Sequence, residues 1–177
     1  MFVGLICIYL AYTFNSSNLY SISGKVYGTT WSVTSTEFIA DHHEKKILDI
    51  IDTVDTVASN YKSDSEIALI NKAPIRTELP LSQDLYMLLN EAKLISNILD
   101  NYYDITLGKV SSSMGFAPSF GIDVSNNPSN RVFSLNEYNQ TVFKSSDFWF
   151  DLSSIAKGYA VQKIHEYLIA NNLPVSY

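Results

Sequence analysis

The strongest chemical pattern in the sequence is FDLSSIAKGYA, which runs from Phe150 to Ala160. A strand followed by a helix would place Asp151 and two serines at the helix N-terminus, with Lys157 in the first turns. Free N–H groups and the positive end of the helix dipole collect at such a terminus and favour an anion. The same spacing also fits a plain helix cap at Ser153, with Asp151 and Lys157 on a solvated face. Spacing alone leaves both interpretations open.

A second cluster combines aromatic and acidic residues at 102–108, YYDITLG. Tyr102 and Tyr103 could stack on a flat ring, and Asp104 could accept a hydrogen bond from the ring's polar edge. A half-buried strand with an exposed acid explains the same residues without a ligand. Two weaker segments fit ordinary turn chemistry as well as binding: Tyr27 to Thr29, and Ser59 to Lys62.

Metal sites built from histidine or cysteine are not indicated. His42 and His43 are adjacent, a spacing that does not suit two ligands on one helix face, and His165 stands alone. The single cysteine, Cys7, excludes a disulfide within the chain and a multi-cysteine metal site. The 18 acidic and 12 basic side chains give a net charge of −6, so we expect no nucleic-acid partner.

Helices and strands must position these residues, and the hydrophobic pattern predicts both. Apolar side chains recur at helical spacing from Asp41 to about Asn60 and again after Ser82, which is expected to cap the second helix. A third helix is predicted to start at Ser153 or Ser154. Runs of β-branched and aromatic residues predict strands at Lys25–Thr36, at Tyr102–Leu107, within Arg131–Lys144 and at Phe148–Phe150.

The fold class follows from this alternation and from the composition. The chain has 177 residues, of which 46% are apolar, so it can bury a substantial core. We predict an α+β fold, α/β-like in its alternation, with helices packed on a mixed β-sheet.

The N-terminal region has a different character, because no charged residue precedes Lys25. The apolar run Phe2–Tyr12 is shorter than the roughly 20 residues that span a bilayer, and it suits the apolar region of a secretory signal or a weak anchor. The basic start of a signal is missing, and a buried strand is the alternative. Lipidation of Cys7 is a further alternative. We assign residues 1–24 to a signal-like or membrane-anchoring segment and 25–177 to the folded domain.

Four blocks, taken in order, resemble the FAD:protein FMN transferase family, the ApbE-like flavin transferases. They are SNYKSDSEIALIN at Ser59–Asn71, YDITLG at Tyr103–Gly108, MGF at Met114–Phe116 and FDLSSIAKGYA at Phe150–Ala160. The resemblance covers about residues 25–177, and it departs from the family at Tyr27, where methionine is frequent. Family members continue with further blocks that are absent here, so the chain resembles an N-terminal portion truncated at its C-terminus.

The resemblance implies a periplasmic or cell-envelope enzyme that uses FAD and Mg²⁺. Such an enzyme moves FMN to a serine or threonine hydroxyl of an acceptor protein and releases AMP. By position, the resemblance implies FAD contacts at Tyr27, Tyr61, Tyr102, Tyr103, Asp104, Asp151 and Lys157. It places the Ser154 hydroxyl and the Ala156 carbonyl in part of the metal shell.

No catalytic base is identified in the sequence, and the remaining metal ligands of the family would lie in the absent blocks. The chain by itself is therefore expected to be inactive as a transferase. Two alternatives stay open: an FAD-binding protein without turnover, and an exported α/β domain that keeps the fold without a ligand.

Overall fold

The computed structural model of the chain describes residues 19–26, 29–173 and 175–176. Most of the predicted signal-like segment, including Cys7, and the predicted flavin contact Tyr27 lie outside the described residues. No helix in the described part is both long and apolar enough to cross a membrane.

Eleven helices and strands follow one another along the described chain. In order they are β1 (Tyr20–Val26), β2 (Thr29–Ser35), α1 (Asp41–Ala58), α2 (Glu66–Lys72), β3 (Glu78–Pro80), α3 (Gln83–Ile98), α4 (Gly108–Ser113), β4 (Phe133–Asn136), β5 (Thr141–Lys144), α5 (Ala156–Ala170) and β6 (Val175–Ser176). They form two compact units, one made of residues up to 49 and from 164 onward, the other of residues 50–163.

The first unit contains a three-stranded antiparallel sheet in the order β1–β2–β6. The strand predicted over Lys25–Thr36 is confirmed as β2 over Thr29–Ser35 but is wrong at its start, because Lys25 and Val26 belong to β1. The two strands pair with each other, with Ile22 opposite Val33. In the same unit, a hydrogen bond of 2.8 Å between His43 Nδ1 and the Tyr167 hydroxyl joins α1 to α5.

The second unit is built around the apolar faces of its helices. As predicted, α1 and α3 each bury residues at helical spacing, and Ser82 caps α3 by accepting a hydrogen bond from the Leu85 N–H at 3.2 Å. The Glu66 carboxylate accepts hydrogen bonds from both the N–H and the hydroxyl of Ser82, at 2.6 and 2.5 Å. Within this unit, the buried apolar residues of the two helices are Ile51, Val54, Val57, Ala58, Leu85, Leu88, Leu89 and Ala92.

A second antiparallel sheet, in the order β3–β5–β4, completes this unit. Its central residue Val142 lies opposite Leu79 on one side and Leu135 on the other, and it is fully buried. These helices and sheets confirm the predicted α+β class. All paired strands among the described residues are antiparallel, and a parallel arrangement occurs in the isolated bridge between Leu107 and Trp149.

The predicted strand over Tyr102–Leu107 is also wrong. Asp104 Oδ1 accepts hydrogen bonds from both the N–H and the hydroxyl of Thr106, at 2.8 and 2.5 Å, and this local ring bends the chain into turns. Only Leu107 joins a bridge, and Gly108 then begins α4. Phe148–Phe150 is buried as predicted, but it does not form the predicted strand, because only Trp149 pairs, in the bridge with Leu107.

Candidate functional site

Asp151 is carried by a buried segment, Phe148–Leu152, that is held through its backbone. The N–H of Gly108 donates to the carbonyl of Trp149 at 2.8 Å, and the N–H of Asp151 donates to the carbonyl of Ile105 at 2.7 Å. A Cβ on Gly108 would lie 2.8 Å from the carbonyl oxygens of both Trp149 and Phe150. The segment therefore reaches its place because residue 108 has no side chain.

The Asp151 carboxylate is oriented by three hydrogen bonds to one of its oxygens. Oδ1 accepts from Asn60 Nδ2 at 2.5 Å, from the Ser153 N–H at 2.9 Å and from the Ser153 hydroxyl at 2.6 Å. All three bonds use Oδ1, and among the described residues the second oxygen accepts no hydrogen bond. The predicted start of the third helix at Ser153 or Ser154 is two to three residues too early, since α5 begins at Ala156 after a turn.

Two further predicted contacts lie beside this carboxylate. Lys157 is exposed, and its Nζ lies 3.4 Å from the carbonyl oxygen of Ser153, the residue that also donates to Asp151. The Tyr103 hydroxyl lies 3.0 Å from the Ser154 hydroxyl. The structure thus brings Asp151 and Lys157 together around one turn, and it joins Tyr103 to that same turn.

The other two predicted tyrosines have different surroundings. Tyr61 is mostly exposed, and its hydroxyl donates to the carbonyl oxygen of Phe116 at 2.6 Å, which ties the MGF block to the Ser59–Asn71 block. Tyr102 is 95% exposed, so its ring contacts almost nothing in the described chain. Tyr102 is therefore not brought into the hydrogen-bonded group around Asp151.

Asp104 is engaged by a partner that the sequence did not indicate. Its Oδ2 lies 3.0 Å from Arg131 Nη2, and Arg131 Nε also donates to the Thr106 hydroxyl at 3.0 Å. Burial raises the pKa of Asp104, but the hydrogen bonds from Thr106 and Arg131 outweigh burial and leave this pKa below its ordinary value. Asp104, Arg131 and Lys93 line one hollow. This hollow shares no lining residue with a second cleft, which is lined by Asn60 and Trp149.

A cleft beside Asp151 carries an unsatisfied polar atom. Asn60, Lys72, Phe120 and Trp149 are among its lining residues, and Lys72 Nζ lies 4.5 Å from the centre of the Phe120 ring. Asn60 Oδ1 is buried and accepts no hydrogen bond within the described chain. A buried acceptor of this kind is costly without a partner, and the N–H or O–H of a ligand, or a water molecule, would satisfy it.

A buried lysine that the sequence did not indicate, Lys144, lies behind the site. Lys144 is 1% exposed, and its Nζ donates to the carbonyl oxygens of Asn71 at 3.1 Å and Phe148 at 3.3 Å. Burial lowers the pKa of Lys144 to about 8; Asp147 opposes this shift and Lys109 adds to it. A lone lysine in a β-branched run carries no sequence signal for this role.

The predicted metal ligands supply only part of a shell. Ser154 offers an exposed hydroxyl, and Ala156 is a nearly buried residue that would offer its carbonyl. Mg²⁺ takes six oxygen ligands in near-octahedral geometry, and two neutral oxygens bring no negative charge. Among the described residues there is no group of three or more His, Cys, Asp or Glu side chains that could hold a metal ion. The Ser154 hydroxyl and the Ala156 carbonyl therefore account for only part of a Mg²⁺ shell.

Comparison with known sequences places this geometry in a family. The family model described as the ApbE family matches residues 27–174. A FAD:protein FMN transferase of Haemophilus influenzae is 28% identical over 170 residues, which cover 84% of this chain and 48% of that protein. A FAD:protein FMN transferase of Vibrio cholerae is 25% identical over 160 residues, which cover 83% of this chain and 48% of that protein. The chain spans about half the length of the curated relatives it matches.

Solved structures show the same fold. The flavin transferase ApbE from Vibrio cholerae superposes with a TM-score of 0.77 at 21% identity, over 90% of this chain and 57% of that one. The apo form of the flavinyl transferase ApbE from Pseudomonas stutzeri gives a TM-score of 0.77 at 22% identity, over 90% of this chain and 56% of that one. With the family match covering most of the sequence, this chain belongs to the ApbE family.

Proposed function

We propose that the chain binds FAD and acts in the transfer of FMN from FAD to a serine or threonine hydroxyl of an acceptor protein. In this reaction the acceptor oxygen forms a bond to the FMN phosphorus, and the pyrophosphate P–O bond that leads to AMP breaks. The hydroxyl proton is released, and AMP leaves with the electron pair of the broken bond. The curated relatives carry the name of this activity.

The observation that carries the proposal is the pair of acceptors at the edge of the cleft. In the described part of the chain, Asn60 Oδ1 is buried without a hydrogen-bond partner, and the second oxygen of the Asp151 carboxylate, which is bonded to Asn60 through the first, accepts no hydrogen bond. FAD offers N–H groups on its rings and hydroxyls on its sugar and ribityl parts, which match such acceptors. We propose that Tyr61 and Tyr103 add aromatic contacts beside them.

The phosphates of FAD need positive charge, which the net charge of −6 does not provide globally. Lys157 is an exposed cation whose Nζ lies 3.4 Å from the Ser153 carbonyl, on the turn that also binds the Asp151 carboxylate, so we assign it to the phosphates. Mg²⁺, when bound, would neutralise and orient the pyrophosphate. Ser154 and Ala156 would contribute oxygens to that ion, alongside substrate, water or ligands beyond the described residues.

FAD binding tests the proposal directly, by quenching of flavin fluorescence on titration with the full chain. We expect Asp151→Asn to weaken FAD binding about tenfold or more, because a charge-assisted hydrogen bond is worth roughly 1.5–3 kcal/mol. Glu91→Gln is the matched control, since it removes an exposed acid from α3. Unquenched fluorescence with the wild-type chain, or equal affinity in Asp151→Asn, would contradict the assignment.

A second candidate function is FAD binding without turnover. It is favoured by one observation: among the described residues there is no group of three or more His, Cys, Asp or Glu side chains that could hold a metal ion. Release of AMP from FAD with Mg²⁺ and an acceptor protein separates the two candidates. Binding without AMP release supports this second function, whereas AMP release supports transfer.

We also propose export to the periplasm or cell envelope, with residues 1–24 acting as a signal or as an attachment to the inner membrane. The support is the uncharged sequence before Lys25. A reporter that is active only outside the cytoplasm, fused after residue 177, should be active, and removal of residues 1–24 should abolish that activity. Equal reporter activity without this segment would refute the proposal.

A further inference from the structure

Asn71, at the C-terminal end of α2, makes a two-bond contact with a residue far away in sequence. Its side chain Nδ2 donates to the carbonyl oxygen of Phe150 at 2.9 Å, and its Oδ1 accepts from the Phe150 N–H at 2.7 Å. Both backbone polar groups of Phe150 are thereby satisfied by one carboxamide, as a neighbouring strand would satisfy them. Asn71 is 7% exposed, so water does not compete for these bonds.

The contact falls next to the residue that carries the proposed ligand interaction. Phe150 directly precedes Asp151, and Asn60 donates to the Asp151 carboxylate itself. Asn60 lies in the loop before α2, and Asn71 lies in the last turn of α2. One short helix with its preceding loop therefore sets both the backbone position and the carboxylate orientation at residue 151.

Asn71 is itself held from behind. The buried ammonium of Lys144 donates to the Asn71 carbonyl oxygen at 3.1 Å and to the Phe148 carbonyl oxygen at 3.3 Å. Lys144 thus spans the same two segments that the Asn71 side chain joins. The charged groups that influence Lys144 are Asp147 and Lys109, which form an ion pair with each other at 2.8 Å.

We propose that Asn71 is a positioning residue that fixes Asp151 for FAD, acting through the backbone of Phe150. The inference rests on the proposed function, because FAD is the ligand whose binding reports the position of Asp151. Without the carboxamide, the Phe150 N–H and carbonyl lose their partners, and the segment that carries Asp151 loses its register against α2. FAD affinity should then fall by more than the loss of folding stability explains.

The test uses Asn71→Asp and Asn71→Ala in the full chain, with FAD as the probe at pH 5 and pH 8. At low pH a protonated Asp can donate its O–H to the Phe150 carbonyl and accept from the Phe150 N–H, which restores both bonds. At pH 8 the carboxylate accepts only, and it faces the carbonyl oxygen with a negative charge. We expect Asn71→Asp to bind FAD about tenfold more weakly than wild type at pH 8 and within about threefold at pH 5.

Asn71→Ala cannot recover the bonds and should stay weak relative to wild type at both pH values. Ile67→Val, which removes one buried methyl group from the same helix, controls for general destabilisation, and melting temperatures are measured in the same buffers. Wild-type affinity of Asn71→Asp at pH 8, or a loss in Ile67→Val as large as in Asn71→Ala, would overturn the positioning role.

The failure of the proposed function would look different, because the wild-type chain itself would not quench FAD. Hydrogen exchange at the Asp151 N–H, which donates to Ile105, then reads the position of the segment without a ligand. Faster exchange in Asn71→Ala than in wild type, with Ile67→Val unchanged, supports the positioning role. Equal exchange in all three chains overturns it.

Discussion

Replacing Gly108 by alanine should displace the segment that carries Asp151. The added Cβ would lie 2.8 Å from the carbonyl oxygens of both Trp149 and Phe150, and these are backbone atoms that no rotamer change can move away. Overpacking of a filled site costs about 1–3 kcal/mol. The hydrogen bond from the Gly108 N–H to Trp149, at 2.8 Å, is worth about 1 kcal/mol more. Together these terms give a loss of roughly 2–4 kcal/mol in the free energy of unfolding.

Urea unfolding and thermal melting of the full chain measure this loss. For a chain of this size, a loss of about 3 kcal/mol corresponds to a decrease in Tm of about 6–12 °C. FAD affinity should fall as well, because the shifted segment carries Asp151. Gly158→Ala is the matched control: a Cβ there meets nothing within 4 Å, and alanine in α5 should stabilise the helix by about 0.5–1 kcal/mol. If Gly108→Ala unfolds within 0.5 kcal/mol of wild type, the close-approach reasoning is refuted.

Three further predictions concern groups with shifted pKa values. Burial lowers the pKa of Lys144 from 10.5 to about 8, so between these pH values the unfolded chain binds a proton that the folded chain does not. The free energy of unfolding, measured in urea, should therefore rise as the pH rises from 8 to 10.5, by up to about 3 kcal/mol more in wild type than in Lys144→Met. A double-mutant cycle with Arg131→Gln and Asp104→Asn should show a coupling of about 1–2 kcal/mol in the free energy of unfolding at pH 7. The pKa of Asp104 is lowered in the folded chain, so this coupling should be lost below pH 3.8, as the carboxylate is protonated. An unchanged coupling at pH 2 would contradict this. Tyr159→Phe should cost about 1–2 kcal/mol in the same assay, because the Tyr159 hydroxyl donates to the Asp84 carboxylate at 2.6 Å. Asp84→Asn in that background removes the remaining, partly exposed pair with Lys163 and should add less than about 1 kcal/mol.

The helices of this fold could be predicted because their signals are local. Apolar residues at spacings of three and four mark α1 and α3, and Ser82 caps α3 through a bond to a residue three positions away. The segment at 102–107 misled the same reasoning, since its apolar and aromatic residues resemble a strand. There the carboxylate of Asp104 competes for the backbone two residues later, and this local bond decides for a turn.

The site was predictable only in part, because its decisive contacts join distant residues. Asp151 and Lys157 share one turn, so the spacing of the sequence already placed them together. The bonds from Asn60 to Asp151 and from Asn71 to Phe150 span 91 and 79 residues. No periodicity encodes such pairs, and the same holds for Arg131, which lies in a long polar loop and meets Asp104.

The blocks that carried the family resemblance have a common physical explanation in this structure. Ser65 in the first block is buried, caps α2, and donates to the carbonyl oxygen of Ser59 at 2.6 Å, which closes the loop that presents Asn60. Asn71, the last residue of that block, donates a hydrogen bond to the Phe150 carbonyl in the segment that carries Asp151. Gly108, the last residue of the second block, donates to the Trp149 carbonyl of the same segment. Buried residues thus converge from two blocks on one segment. A site that must hold a carboxylate at a fixed distance from a lysine and a cleft needs such a support, because among the described residues Phe148–Leu152 has no continuous strand neighbour to hold it.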